Sequence, residues 1–181
     1  YNAGFAEASR TQNEKGLYTG LKVNFTRSLS LNGYVDVFKF PWLRYQVDAP
    51  SQGHEWMVQP SYKPTRDFEI YFRFREQVRP KNSRDSDGTI TPIEDVQQRN
   101  YRLNLSYKVM EGVQLKSRVE YVTINRKSNT PESGFVISQD VIFKPKNLPF
   151  DVALRYALFD TDSYDSRIYT YENNALYVFS A

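Results

Sequence analysis

Cysteine is absent from the 181 residues of this chain, so the sequence offers no disulfide framework, no thiol nucleophile and no thiolate metal site. Histidine occurs once, at His54, within a Gly/Ser-rich stretch that we predict to be a solvated loop. A catalytic triad could form only around that residue, and we therefore predict no catalytic residues and no enzymatic activity. Long apolar runs are also missing, since none approaches the roughly 18 residues that indicate a transmembrane helix.

Two further absences concern targeting and charge. The opening YNAGFAEASR lacks the basic start and apolar core of a signal peptide, so we expect any such peptide to be removed or to lie outside this segment. The net charge of +3 is spread along the chain, and nucleic-acid binding is not supported. Aromatic residues are abundant: 14 Tyr and 12 Phe accompany a charged fraction of 25%, which fits neither a disordered chain nor an ordinary helical domain.

Alternation with a period of two residues organises most of the chain. In FEIYFRFREQ (68–77) the apolar residues Phe68, Ile70, Phe72 and Phe74 alternate with polar or charged residues, so a strand would have one face of each kind. Similar patterns predict about nine strands and no helix, at 17–26, 29–40, 55–63, 68–77, 101–109, 113–121, 135–143, 150–158 and 168–179. The predicted fold class is all-β, with an antiparallel up-and-down arrangement.

The connections alternate in predicted length. Tight turns are expected at 27–28, 64–67, 110–112 and 145–149, and long polar loops at 41–54, 78–99, 125–134 and 160–167. Short turns on one side and long loops on the other are typical of transmembrane β-barrels.

Three features favour a membrane barrel with its apolar face outward. Strands of about ten residues at roughly 3.3 Å each, tilted by about 40°, rise about 25 Å, the height of an outer-membrane apolar band. Aromatic residues cluster near strand ends, and the polar face mixes both signs of charge. Trp42 and Trp56 are predicted to lie at the membrane interface. The predicted lipid-facing residues are Phe68, Ile70, Phe72, Phe74, Leu103, Leu105, Val152 and Leu154. The predicted lumen-lining residues are Glu69, Tyr71, Arg73, Arg75, Lys116, Arg118, Glu120, Asp151 and Arg155.

The role of the lumen residues stays open at this point. The basic residues among them can set an anion preference in a pore, or they can form a structural network with the three carboxylates. No metal or other cofactor is predicted. The weak metal candidate is the group Asp160, Asp162 and Asp165, whose carboxylates suit Ca²⁺ but equally serve Asx turns and solubility.

Bacterial single-chain barrels have an even number of strands, whereas about nine are counted here and the chain stops within the strand-like VFSA (178–181). We therefore expect residues 1–181 to be a single β-barrel segment of a longer chain, and the barrel to be partial.

Three segments carry a resemblance to a known family: NAGFAEASRTQNEKGLYTGL (2–21), FPWLRYQVDAPSQGHEW (40–56) and LRYALFDTDSYDSRIYTYENNALY (154–177). They resemble the C-terminal barrel of helix-hairpin-helix-containing outer-membrane proteins of Bacteroidota. The resemblance implies a bacterial outer-membrane location. In that family the helix-hairpin-helix repeats precede the barrel and suggest association with DNA or a protein partner. No segment here matches such a repeat, so a DNA-related role is not carried over.

The resulting expectation is a non-enzymatic outer-membrane β-barrel protein, a pore or an envelope scaffold, with a charged lumen. Its expected partners are membrane lipid and envelope proteins. Two alternatives remain: a soluble lipocalin-like β-barrel that binds an apolar ligand inside, and an outer-membrane barrel enzyme.

Overall fold

The structure is a computed structural model, and it describes residues 13–83, 92–146 and 149–170. Eight strands form one antiparallel sheet in which every strand pairs with its neighbours in chain order. Their bounds are β1 Lys15–Asn24, β2 Leu29–Phe40, β3 Ser51–Tyr62, β4 Phe68–Asn82, β5 Ile93–Met110, β6 Val113–Arg126, β7 Asn129–Phe143 and β8 Val152–Thr161. The predicted all-β, antiparallel up-and-down arrangement is thereby confirmed.

The sheet is open. Strands β1 and β8 are its two edges, and they make no contact with each other. Eight strands are seen in the described ranges instead of the predicted nine. The ninth was expected at 168–179; residues 168–170 are not in a strand, and the rest of that range lies outside the described residues. Within the described ranges, no helix is long and apolar enough to cross a membrane.

Several strands are longer than the alternation predicts. Residues 78–82 continue β4 and residues 93–99 begin β5, although 78–99 was predicted to be a loop. The predicted loop at 125–134 is also wrong, because β6 runs to Arg126 and β7 starts at Asn129. His54 lies within β3 rather than in a loop. In these extensions polar residues occupy both faces, so the apolar alternation stops there. The hydrogen-bonded pairing of the strands nevertheless continues.

The connections that were predicted to be tight share one end of the sheet, which we call the turn end; the opposite end is called the loop end. At the turn end, β5 and β6 are joined by Glu111 and Gly112, and Gly112 has φ of +79°, a conformation that favours glycine. Between β1 and β2, the Thr26 hydroxyl accepts hydrogen bonds from the backbone N–H groups of Ser28 and Leu29. The loop end is less uniform than predicted, because it includes the two-residue β6–β7 connection as well as the connection 41–50.

The two faces of the sheet differ strongly in exposure. On β6 and β7 the buried residues include Glu120, Val122, Val136, Ser138, Asp140 and Ile142, whereas Tyr121, Ile137 and Val141 between them are exposed and Gln139 is half-buried. We call the face that includes Glu120 the inner face and the opposite one the outer face. On these strands the inner face is therefore the more enclosed of the two.

Candidate functional site: the charged inner face

The strand register decides where each predicted site residue lies. Tyr71 and the predicted basic and acidic residues of β4, β6 and β8 lie on the inner face: Glu69, Arg73, Arg75, Lys116, Arg118, Glu120 and Arg155. Asp151 lies just before β8, in the connection at the turn end, where it forms an exposed ion pair with Lys144 at 3.1 Å. The eight predicted lipid-facing residues all lie on the outer face: Phe68, Ile70, Phe72, Phe74, Leu103, Leu105, Val152 and Leu154.

One buried carboxylate on the inner face is Glu55 of β3. Arg75 binds it through both ends of the guanidinium, with Nε–Oε1 of 2.8 Å and Nη2–Oε2 of 2.7 Å. The Tyr34 hydroxyl and the Gln77 side-chain amide also donate hydrogen bonds to Glu55. Bidentate arginine–carboxylate pairing fixes both side chains, so strands β2, β3 and β4 are cross-linked at this level.

A second buried carboxylate, Glu120 of β6, lies farther along the sheet. Arg102 reaches it from β5 with Nε–Oε2 of 2.8 Å and Nη2–Oε1 of 3.0 Å. Arg118, two residues before Glu120 on the same strand, donates to Oε2 from Nε at 3.0 Å and from Nη2. Two guanidinium groups therefore share one carboxylate, which leaves a surplus of positive charge.

A third pair joins β7 to β8. Arg155 Nε and Nη2 donate to the two carboxylate oxygens of Asp140, each at 2.6 Å. Sequence reasoning selected Arg155 but missed Asp140, just as it missed Glu55, Gln77 and Arg102. The signal for Asp140 was present, since it alternates with apolar residues on β7, but its pairing with Arg155 depends on the register of two strands.

On β4 to β6, two inner-face cations contact no carboxylate in the part of the chain that the structure describes. Arg73 donates from Nε to Oε1 of Gln59 at 2.7 Å, and its guanidinium lies 5.7 Å from the centre of the Tyr71 ring. Lys116 lies opposite Asp140 in the β6–β7 register, but Arg155 already occupies both oxygens of that carboxylate.

Two segments fold onto the inner face at the loop end. In the segment 162–170, which we call the strap, Asp165 accepts a hydrogen bond from Arg126 Nη2 at 2.5 Å, Ser166 is fully buried, and Ile168 packs on Val96, Val122 and Ile124. The backbone of Ser166 lies directly against Gly134, where a Cβ atom would collide with the Ser166 carbonyl oxygen. The strap therefore covers the inner face of β5 to β7 at this end.

The connection 41–50 covers β2 to β4 in the same way. Phe38, Phe40 and Val47 are almost completely buried, and the Arg44 guanidinium lies 4.3 Å from the centre of the Phe40 ring. Arg44 Nη2 donates to the carbonyl oxygen of Pro80 at 3.1 Å. Burial lowers the pKa of Arg44, an effect that nearby Glu14 partly opposes. At the turn end, by contrast, the inner face opens into a depression of about 400 Å³ lined by Glu69, Ser106, Lys108 and Gln114 among others.

The outer face has its own order. A row of aromatic rings crosses β3 to β6, with centroid distances of 4.9 Å for Trp56–Phe74, 5.0 Å for Phe74–Tyr101 and 6.3 Å for Tyr101–Tyr121. On the loop-end side of this row, Arg99 Nε donates to Glu76 Oε2 at 2.6 Å, and the Trp56 indole N–H donates to Glu76 Oε1 at 3.3 Å. The row thus separates an apolar band from a polar rim.

The three carboxylates of the weak metal candidate lie in different surroundings. Asp160 lies on the outer face of β8, Asp162 accepts hydrogen bonds from the backbone N–H and hydroxyl of Ser133, and Asp165 pairs with Arg126. Among the described residues, no three His, Cys, Asp or Glu side chains are grouped so that they could hold a metal ion.

Comparison with known proteins finds no match: no family model fits the chain, and neither a curated protein nor a solved structure is significantly similar to it.

Proposed function

We propose that this chain is the wall of a bacterial outer-membrane β-barrel, a non-enzymatic pore or envelope scaffold with a charged lumen. One observation carries the proposal. On β6, Glu120 is 3% exposed, whereas its neighbours Val119 and Tyr121 are each 43% exposed. A water-soluble domain buries its apolar residues and leaves its charged residues in solvent. At Glu120 the reverse holds, because the charged residue is buried and its apolar neighbours are exposed.

The size of the outer apolar surface supports the proposal. Exposed apolar side chains lie next to one another across the outer face of β5 to β8: Leu103, Tyr107, Val119, Tyr121, Phe135, Ile137, Val141, Phe143, Val152, Leu154, Tyr156 and Leu158. Soluble monomers rarely expose contiguous apolar patches larger than a few hundred Å². Lipid acyl chains would remove this surface from water. The one polar cross-strand pair in the band is internally satisfied, because Ser117 donates to Gln139 at 2.5 Å.

The spacing of the aromatic residues gives a second line of support. On β7, Phe135 lies level with the aromatic row near the loop end, and Phe143 lies near the turn end, where Phe68 and Tyr107 also contact each other. The eight residue steps between Phe135 and Phe143 span roughly 26 Å along the strand, or roughly 20 Å along the membrane normal at a tilt of about 40°. An outer-membrane barrel has aromatic girdles on either side of an apolar band about 25 Å tall.

A soluble barrel with an apolar ligand inside is less well supported. Apart from Ile142 near the turn end, the enclosed apolar residues form small groups toward the loop end, and the strap and the connection 41–50 pack there. An apolar ligand deeper inside would lie against Glu55, Glu120 and Asp140, which are buried and ion-paired. A barrel enzyme built on histidine is also disfavoured, because His54 lies on the outer face, opposite to these carboxylates.

Fractionation of cells that produce the full-length native protein tests the membrane assignment. We expect the protein in the outer-membrane fraction, resistant to carbonate and urea extraction, and heat-modifiable on gels after extraction in detergent. Recovery as a soluble protein without detergent would overturn the proposal. Conductance of the purified protein in planar bilayers then separates a pore from a scaffold, since a plugged barrel inserts without conducting.

The resemblance to the Bacteroidota barrel family forms part of this proposal and has its own test. The parent gene is expected to encode a signal peptide, helix-hairpin-helix repeats before this segment, and a final strand that ends in an aromatic residue. A parent chain without these features would remove the family assignment but not the membrane assignment.

A further inference from the structure

We propose that the middle of the inner face binds small oxyanions, that is, solutes that carry phosphate or carboxylate groups. The site is a patch of four cations on β4 to β6, which we call the cationic strip: Arg73, Arg102, Lys116 and Arg118. The location of this strip in a lumen rests on the proposed function, whereas the binding of an anion rests on the contacts described next.

The first step is a charge count. Over residues 69–73 of β4, 102–106 of β5 and 116–120 of β6, the inner face holds the four cations of the strip and two carboxylates, Glu69 and Glu120. Four minus two leaves a net charge of +2 there. Glu69 already pairs at 3.2 Å with Lys63 at the turn end. Glu120 is therefore the main counter-charge within the strip, and it is shared by Arg102 and Arg118.

The second step concerns Arg73. It lies directly opposite Arg102 in the β4–β5 register, and like charges in directly opposed positions destabilise a sheet. Arg102 is held by Glu120, whereas Arg73 has only the neutral side chains of Gln59 and Tyr71 as partners among the described residues. A bound oxyanion would relieve this repulsion, because a guanidinium presents paired N–H donors that match phosphate and carboxylate oxygens.

The third step concerns Lys116. Its cross-strand neighbours are Ser106 on β5 and Asp140 on β7, and Asp140 is bound at both oxygens by Arg155. The ammonium group therefore makes no ion pair with the described residues and is left to bind a solute. Lys116 lies on the same strand and face as Arg118, one alternation closer to the turn end.

The two ends of the inner face differ in how far other segments cover them, and this difference sets the route by which a solute reaches the strip. The strap and the connection 41–50 pack on the inner face at the loop end, whereas Ser106 and Gln114, which flank Lys116, line the open depression at the turn end. A solute would therefore approach the strip from the turn end. Five cations line the same depression against three carboxylates, so the route carries a net positive charge: Lys63, Arg66, Lys108, Lys144 and Lys146 against Asp67, Glu69 and Glu111.

Calorimetric titration of the full-length protein in detergent with inorganic pyrophosphate at low salt tests the site directly. We expect binding that weakens as salt rises and that is at least tenfold weaker in the double variant Arg73→Gln/Lys116→Gln. Neither substitution breaks an ion pair with the described residues, so folding, checked by heat-modifiability on gels, should be retained. The matched control Lys39→Gln removes an exposed charge from the outer face of β2 and should bind as the native protein does.

Absence of binding to the native protein, or equal binding to the double variant, would overturn the inference. Reversal potentials in planar bilayers under a KCl gradient separate this result from the proposed function. Binding without conductance would support the anion site and contradict the pore. Conductance without anion preference or binding would support the pore and contradict the anion site. Binding by a protein that does not enter membranes would leave the site but overturn the membrane assignment.

Discussion

Arg102 on β5 and Glu120 on β6 face each other directly across the sheet, and the guanidinium reaches both carboxylate oxygens at 2.8 and 3.0 Å. Glu120 is almost fully buried, and about a quarter of the Arg102 side chain remains exposed. If one partner of the pair is removed, few water molecules can reach the other to replace the lost hydrogen bonds.

Substitution Glu120→Ala should destabilise the protein strongly, because it leaves Arg102 and Arg118 close together without the carboxylate that both contact. We expect a loss of about 3 kcal/mol in the free energy of unfolding, the lower end of the range for breaking a buried pair, since both arginines keep some solvent contact. Urea titration of the folded protein measures it. Asp151→Ala is the matched control: it breaks the exposed pair with Lys144 and should cost no more than about 1 kcal/mol. Equal effects of the two substitutions would contradict the enclosure of Glu120.

Substitution Phe72→Arg places a charge in the middle of the outer apolar band. For a protein folded in lipid vesicles we expect a loss of about 2–4 kcal/mol, the range for arginine near the bilayer midplane. Asn32→Arg, which introduces the same residue on the inner face of β2, should be much better tolerated. The opposite pattern, with Phe72→Arg tolerated and Arg73→Leu costly, would mean that the two faces are assigned the wrong way round.

Substitution Gly134→Ala should displace the strap. A Cβ atom there would collide with the Ser166 carbonyl oxygen and lie 3.0 Å from Thr161 Cγ2, and backbone atoms cannot move aside as a flexible side chain can. We expect a loss of about 1–3 kcal/mol, as for other overpacked positions, together with faster amide hydrogen exchange in 162–170. Gly20→Ala is the control, because the nearest atoms to its Cβ belong to Tyr18 at 3.4 Å or more. Unchanged exchange in the Gly134 variant would show that the strap does not lie on this glycine.

The two tryptophans should report different environments. Trp56 belongs to the aromatic row on the outer face, whereas Trp42 is 71% exposed in the connection 41–50. In lipid vesicles, the fluorescence of the Trp42→Phe variant, which keeps Trp56, should be quenched by brominated lipids. The Trp56→Phe variant should instead be quenched by aqueous iodide. Insensitivity of Trp56 to brominated lipids would argue against a membrane interface at the aromatic row.

Much of the sheet was predictable from side-chain alternation. For the central parts of β4, β5, β6 and β7, each named residue was assigned to the correct face of the sheet. This was possible because successive side chains of a strand point to opposite faces, whatever the rest of the fold. The ends of the strands were not predictable: around Glu76 and Arg99 the outer face becomes polar, the pattern fades, and pairing continues through an ion pair between the two strands. His54 was assigned to a loop for a similar reason, since the Gly and Ser residues before it in β3 hide the alternation.

The sequence alone determined that this protein is built of antiparallel strands with one apolar and one charged face, since that pattern depends only on the two-residue repeat of an extended chain. Only the tertiary structure decided that the charged face is the more enclosed one, that Glu120 serves two arginines while Arg73 and Lys116 contact no carboxylate among the described residues, and that the strap covers the loop end. Those features depend on strand register and on contacts between residues distant in the chain, and a one-residue shift of register would exchange the faces of a whole strand.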